Sequence, residues 1–192
     1  MPREVEIPSV VTRSKESGAK TAEVVAEIRS RIRDFDIAMT TTRDDAQIVV
    51  SLVRDRDLAR AIRSLYGIDR AHRIQRSLEP QCLSGFRKDE SSRILHSDVL
   101  IVADAGDFVF YDCLFEELLQ SLGPINDDTT VPWTMFNDDV QMGFFDLYDQ
   151  YLLNILYDRR IQPGMSRAAV EALLPEVLPD VRAWVDGNNR RR

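Results

Sequence analysis

On one side of an apolar run between Tyr111 and Leu122 the chain carries Cys113, Glu116, Glu117 and Gln120. A carboxylate such as Glu117 can activate water, and a nearby amide such as Gln120 can steady an oxyanion, the division of labour of a metal-free hydrolase. Glu116 and Gln120 stand four apart, so on a helix both side chains project from one face, one above the other. The structural alternative is a hydrogen-bonded network that holds the helix to its neighbours, the usual fate of polar groups on a buried helix.

Other groups bear chemistry more weakly. Asn126-Asp127-Asp128 and Asn137-Asp138-Asp139 offer carboxylates and amides of the kind calcium takes, but without ordered EF-hand spacing, so solvated loops are expected. Arg56, Arg60 and Arg63, with Arg70, Arg73 and Arg76 nearby, have the composition of an anion-binding face. Asp55, Asp57 and Asp69 balance them, which favours a solvated helix. His72 and His96 stand alone, as hydrogen-bonders rather than ligands. Cys82 and Cys113 are either free thiols, as in a reducing cytosol, or a bridge formed in an oxidising compartment.

Hydrophobic periodicity outlines the elements that must position these groups. Tyr111, Leu114, Phe115, Leu118, Leu119 and Leu122 follow the spacing of a buried helical stripe. Gly123 takes the left-handed conformation that ends helices, and Pro124 forbids continuation. Upstream, Val5 to Thr12 reads as an extended edge segment. Gly18 and Thr21 introduce a helix with Val24, Val25, Ile28, Ile32 and Phe35 inward. Phe35, Ile37 and Met39 alternate as in a half-buried strand, and Gln47 to Val53 is a strand covered on both faces. A helix from Asp55 to Leu65, a turn-rich segment from Pro80 to Ser92 and a third strand from Ile94 to Ala103 follow.

Downstream, Phe144 to Tyr157 predicts a buried helix, apolar round much of its circumference. Trp133, Met135 and Phe136 either line a groove beside it or pack in the core. Ser166 caps a short helix through Leu174 that Pro175 and Pro179 break, and Val181 to Val185 forms a separate last helical piece. This order predicts an α+β fold in a single domain over residues 1–192, with flexible ends at 1–17 and 186–192.

Composition narrows the function. At 44% hydrophobic and 30% charged residues the chain is globular rather than disordered. A net charge of −7 argues against nucleic acid and anionic membranes as general partners. No apolar run approaches the roughly 18 residues of a transmembrane helix. The sequence from Met1 to Glu6 lacks the apolar core of a signal peptide, so the chain is either cytoplasmic or a form with its export segment removed.

The stretch from Glu116 to Asp127 resembles the long zinc signature H-E-x-x-H-x-x-G-x-x-H/D of the metzincin branch of the zincin peptidases. Glu116 and Gln120 fall at the two helix histidines, Glu117 at the general-base glutamate, Gly123 at the turn glycine and Asn126 at the third ligand. More closely, the segment resembles an uncharacterised bacterial family of exported lipoproteins with a zincin-like core, whose helix reads C-L-x-E-E-x-x-Q-x-L-G-x-x-N-D. Tyr148 to Asp158, with Pro163-Gly164-Met165, is similar to the same family, and the likeness runs over roughly residues 20–175.

The resemblance implies a zincin-like form of the α+β fold: a mixed twisted sheet packed on helices, a central helix of active-site type and a small helical C-terminal part. It implies a periplasmic or exported location over a cytoplasmic one, and a Cys82–Cys113 bridge tying the loop before the third strand to the start of the helix. Met165 falls where the comparison looks for a methionine turn, or else is an apolar plug. Glu116, Gln120 and Asn126 supply one carboxylate and two amides, whereas zinc prefers imidazole and thiolate. No zinc is therefore expected, and weakly held calcium or another divalent cation is what such oxygens suit. The expectation is a catalytically silent zincin-like domain, exported or envelope-associated, that binds a protein or peptide partner. The alternative is a non-zinc peptidase or hydrolase using Glu117 with Gln120, with or without a divalent cation at Glu116 and Asn126.

Overall fold

β-Branched residues mark β1 (Ser9–Thr12), β3 (Ile48–Val53) and β5 (Ile94–Val102), and β2 (Ala38–Met39) and β4 (Cys82–Lys88), which have none, complete the sheet. The computed structural model describes residues 9–12, 15–77, 81–137 and 139–190. The strands lie in the order β2-β1-β3-β5-β4. All neighbours are parallel except β4, which pairs antiparallel with β5, Cys82 opposite Ile101 and Phe86 opposite Ser97. Helices are α1 (Lys15–Arg31), α2 (Asp55–Tyr66), α3 (Ile68–Ser77), α4 (Asp107–Gln120), α5 (Leu147–Leu156) and α6 (Arg167–Asn189).

Strand alternation divides the core. Val99 and Ile101 of β5 join the cluster that includes Ile28 of α1 and Leu114 and Leu118 of α4. Leu100 and Val102, pointing the other way, pack with Leu58 and Ile62 of α2 and Ala71 of α3. With helices on both faces, β3 and β5 need no polar side, which is why Gln47 to Val53 is a near-continuous apolar run. The α+β class holds, and among the described residues no helix is long and apolar enough to cross a membrane.

Several local expectations need correction. β1 is an interior strand between β2 and β3, not an edge; Val5 to Pro8 lie outside the described residues. Seven residues of the segment expected to be turn-rich, Cys82 to Lys88, are β4. α1 starts at Lys15, before Gly18, so the end expected to be flexible over 1–17 is structured at 9–12 and from Lys15. Pro175 and Pro179 do not break the last helix, which runs unbroken from Ser166, whose Oγ accepts from Ala169 N, to Asn189. Each interior proline costs about 3 kcal/mol. Val177, Val181 and Val185, buried against Tyr151, Ile155 and Leu173, offset that at about 1.5–3 kcal/mol each.

Nor are residues 186–190 frayed. Asp186 accepts from Tyr151 OH, Asn188 Nδ2 donates to Ser30 O at 2.8 Å, and Asn189 Nδ2 donates to Gln150 Oε1 at 2.9 Å. α5 departs furthest from its expected character: Leu147, Tyr148 and Leu156 are exposed, and the buried face is mostly polar, with Asp149, Gln150 and Asn154 beside Leu153.

Asn154 shows why a polar face can be buried. Its Nδ2 donates to Arg31 O at 2.8 Å and to Gln150 O at 2.7 Å, and its Oδ1 accepts from Arg33 N at 2.8 Å. One amide thus satisfies a carbonyl in the last turn of α1 and the backbone N–H of Arg33 just beyond it, and fastens both to α5. Asn154→Ala leaves buried backbone groups unmatched, and an equilibrium urea titration should show a loss of about 2–4 kcal/mol.

Candidate functional site

α4 leaves β5 through Gly106, whose φ of +97° favours glycine, and then crosses the centre of the molecule. It is buried on nearly every side: Phe110, Leu114, Phe115, Leu118 and Leu119, but also Asp112, Cys113, Glu117 and Gln120. The side that carries Cys113, Glu117 and Gln120 is therefore packed against protein, with Glu116 half-buried.

Two links join that side to β4. Cys82 and Cys113 form a disulfide, with their Cα atoms 5.7 Å apart. Ser84 lies two residues along the strand and Gln120 seven along the helix, so each returns to the same face as its cysteine. Ser84 Oγ donates to Gln120 Oε1 at 3.3 Å. The Gln120 Nε2 group donates to Asp127 Oδ1 at 2.9 Å and to Glu116 Oε1 at 3.5 Å. An ionised carboxylate only accepts, so the amide must turn its NH2 toward both acids.

The structure thus brings Glu116 and Gln120 together, with Glu117 5% exposed one residue further round the helix. Asn126 is exposed, and it is its neighbour Asp127 that reaches Gln120. Ser84 and Asp127 were not assigned to the site from sequence. Ser84 gave no signal while its strand was unrecognised; Asp127 was legible as the final acid of the motif.

The turn after α4 is fixed as firmly. Ser121 Oγ donates to Leu118 O at 2.7 Å, and Ser97 Oγ donates to Ser121 O at 3.2 Å. Gly123 has a φ of +139°, and a Cβ there would lie 3.1 Å from Leu156 Cδ2, so glycine serves both conformation and packing. Tyr157 OH donates to Leu122 O at 2.8 Å, and burial raises its phenol far above the ordinary range.

The long segment between α4 and α5 is held by two buried acids. Asp112 Oδ1 accepts from Met142 N at 2.5 Å, and Asp149 accepts from Thr134 Oγ1 at 2.5 Å and Met135 N at 3.1 Å. Desolvation pushes both carboxyls above their usual range, against these hydrogen bonds, which lower them. Met135 and Phe136 are in the core, whereas Trp133 is 72% exposed. Met165 is 38% exposed, its Sδ accepting from Gln162 N in the turn before α6.

Other candidates resolve into local roles. Arg56 and Arg60 pair with Asp57 on the exposed side of α2, as expected of a solvated helix; the side chains of Arg70, Arg73 and Arg76 lie outside the described residues. His72 is exposed, and His96 Nε2 is 3.4 Å from Asp98 Oδ1. Asp128 accepts from Thr130 N and Oγ1, Asn137 Nδ2 donates to Val131 O, and Asp138 lies outside the described residues. Among the described residues no three His, Cys, Asp or Glu side chains gather as a metal site requires.

A mixed sheet whose edge strand is bridged to a buried, acid-bearing helix defines an α+β domain with a partly buried polar group between the two. The chain belongs to the family described as protein of unknown function (DUF2927), whose model matches residues 2–176. No curated protein and no solved structure matches it.

The bridge closes a loop across a separation of 31 residues, so replacing both cysteines by alanine should lower stability by about 3–4 kcal/mol. Thiol titration of unreduced protein in denaturant should find no reactive sulfhydryl, and two would show the bridge absent. Asp112 adds a pH dependence. Because its folded pKa is raised, its contribution is fully present below the unfolded value and is lost as pH rises through the folded one. Asp112→Asn keeps the Oδ1 acceptor and should flatten the fall in stability as pH rises above about 4, measured as urea midpoints.

Proposed function

We propose that residues 1–192 form one zincin-like domain whose central helix has kept its layout and lost its chemistry. The protein then works by binding, as an exported or envelope-associated accessory to a protein or peptide partner. The observation that carries this reading is the bonding of Gln120. Its NH2 group donates to Glu116 and Asp127 together, and its carbonyl accepts from Ser84. Neutral amide hydrogens therefore fill the gap between two carboxylates, where a cation would otherwise be drawn.

Further observations support it. Antiparallel β4 is outermost in the sheet and α4 follows β5 directly, an order compatible with the zincin comparison. The donor set of acids and amides, with no imidazole or thiolate, fits zinc poorly, since zinc prefers nitrogen and sulfur donors. Glu117, the residue expected as general base, is 5% exposed, which limits the access of a substrate water to it in this conformation. The Gln120 amide donors, already engaged by carboxylates, are poorly placed to steady an oxyanion as the hydrolase alternative requires. The disulfide favours an oxidising compartment.

Two measurements test the reading. Protein purified without chelator should contain no stoichiometric zinc and should keep its Tm when a chelator is added; one zinc per chain, or cleavage of a peptide library that disappears in Glu117→Gln, would overturn the silent domain. The triple change Glu116→His, Gln120→His and Asn126→His should create a zinc site if the zincin-like layout is right. Zinc at about a hundred times its Kd should then stabilise the variant by about 2.7 kcal/mol. A folded variant indifferent to zinc rejects that layout.

A further inference from the structure

Beyond α5 the chain passes between the end of α1 and the middle of α6, leaving a cleft of about 230 Å³ lined by Arg33, Asp34, Tyr157, Arg159, Arg160 and Asp180, among others. Arg160 is fixed within it. Its Nε and Nη2 donate to the two oxygens of Asp158 at 2.7 Å each, Nη2 also to Asp180 Oδ2 at 2.8 Å, and Nη1 to Glu176 O at 3.1 Å. A guanidinium bound in this way is rigid, with four of its five N–H donors used, and it offsets one of the two charges of Asp158 and Asp180.

The charge that remains at the mouth is uneven. Arg33 Nε lies 3.6 Å and Arg159 Nη2 3.2 Å from the same atom, Asp34 Oδ2. At the mouth two guanidiniums thus face one carboxylate, while the lining as a whole pairs three arginines with three aspartates. Each guanidinium has five N–H donors in a planar fork, and a single carboxylate oxygen engages few of them. Both side chains reach solvent, at 44% exposure for Arg33 and 79% for Arg159.

The floor beneath them is held by its own hydrogen bonds and ring packing. Asn154 spends its amide on backbone groups of α1 and α5, the Tyr157 hydroxyl donates to Leu122 O, and the Tyr157 ring packs on Phe35 with centroids 4.5 Å apart. Tyr157 and Val181 give the cleft an apolar wall. Arg33 and Arg159 are therefore the groups at this site with the most donors to spare, above a surface that does not need to rearrange.

We propose that this cleft binds a small oxyanion-bearing ligand, its carboxylate or phosphate group held between the Arg33 and Arg159 guanidiniums and its apolar part against Tyr157 and Val181. Asp34 already occupies the geometry of such a group, an acid between two arginines, and a ligand oxyanion shares or displaces it. The volume lies below the roughly 300–1,000 Å³ of sites for drug-sized molecules, which limits the ligand to a free small anion or the terminal carboxylate of a peptide. The inference does not depend on whether the α4 group is silent, since no residue is common to the two.

The test is an NMR titration of the arginine Nε–H signals with three probes: inorganic phosphate, succinate, and a short peptide with its C-terminus free or amidated. Saturable shifts at Arg33 and Arg159 are expected, with affinity falling as salt is added. Loss of the peptide response on amidation would identify a chain terminus as the source of the oxyanion, and equal responses to the small acids a free anion. Arg33→Gln and Arg159→Gln should each weaken binding about tenfold, the loss of one charge-assisted contact. Arg167→Gln, at a side chain 92% exposed elsewhere on α6, should change nothing. Shifts that never saturate, or that saturate equally in the Arg33 and Arg159 variants, overturn the proposal.

Discussion

α4 has almost no solvent of its own, and it carries acids and an amide into the centre of the molecule. An ionised group withdrawn from water costs several kcal/mol unless protein hydrogen bonds replace its hydration. Much of the surrounding architecture meets that requirement. β4 brings Ser84 to Gln120, the turn after the helix brings Asp127, and the long connection to α5 lays Met142 N against Asp112. The disulfide keeps the strand and the helix in the register these contacts need. The residue types that suggest catalysis are also those that an enclosed helix must satisfy internally, and bonding geometry, rather than composition, separates the two readings.

Elements that declare themselves by periodicity were legible from the sequence: the β-branched run of β3, the stripe of α4, the strand at β5 and the serine cap of α6. The pairing of Cys82 with Cys113 came from family likeness, because no local pattern encodes which sulfurs meet. β4 was hidden because Cys82-Leu83-Ser84-Gly85-Phe86-Arg87-Lys88 has weak strand propensity, and its conformation comes from pairing with β5 along its length. Gly85 fits there for a tertiary reason: a Cβ would lie 3.1 Å from the Tyr66 hydroxyl. The interior prolines of α6 misled for the opposite reason, since a strong local penalty was outweighed by the buried valine stripe.

α5 shows the limit of reading hydrophobicity as burial. The apolar run from Phe144 to Tyr157 predicts a buried helix, yet Leu147, Tyr148 and Leu156 are exposed, while Asp149, Gln150 and Asn154 are inside. The inward groups serve backbone that has lost its own partners, at the end of α1 and in the loop through Met135. At the candidate site the same blindness affected partners more than principals. Glu116, Glu117 and Gln120 were recognisable by spacing, but Ser84 arrives from a distant strand, and Asp127, not Asn126, makes the contact.

The end of α6 bears on where this unit stops. Similarity to the family ends at residue 176, yet Val177, Val181 and Val185 come after it, as do the asparagines that hold the last turn of α1. Truncation at the limit of the family match would strip the cover from Tyr151 and Ile155 and open a greasy seam along α5. The boundary suited to producing this domain thus lies about four helical turns past the boundary drawn by shared ancestry.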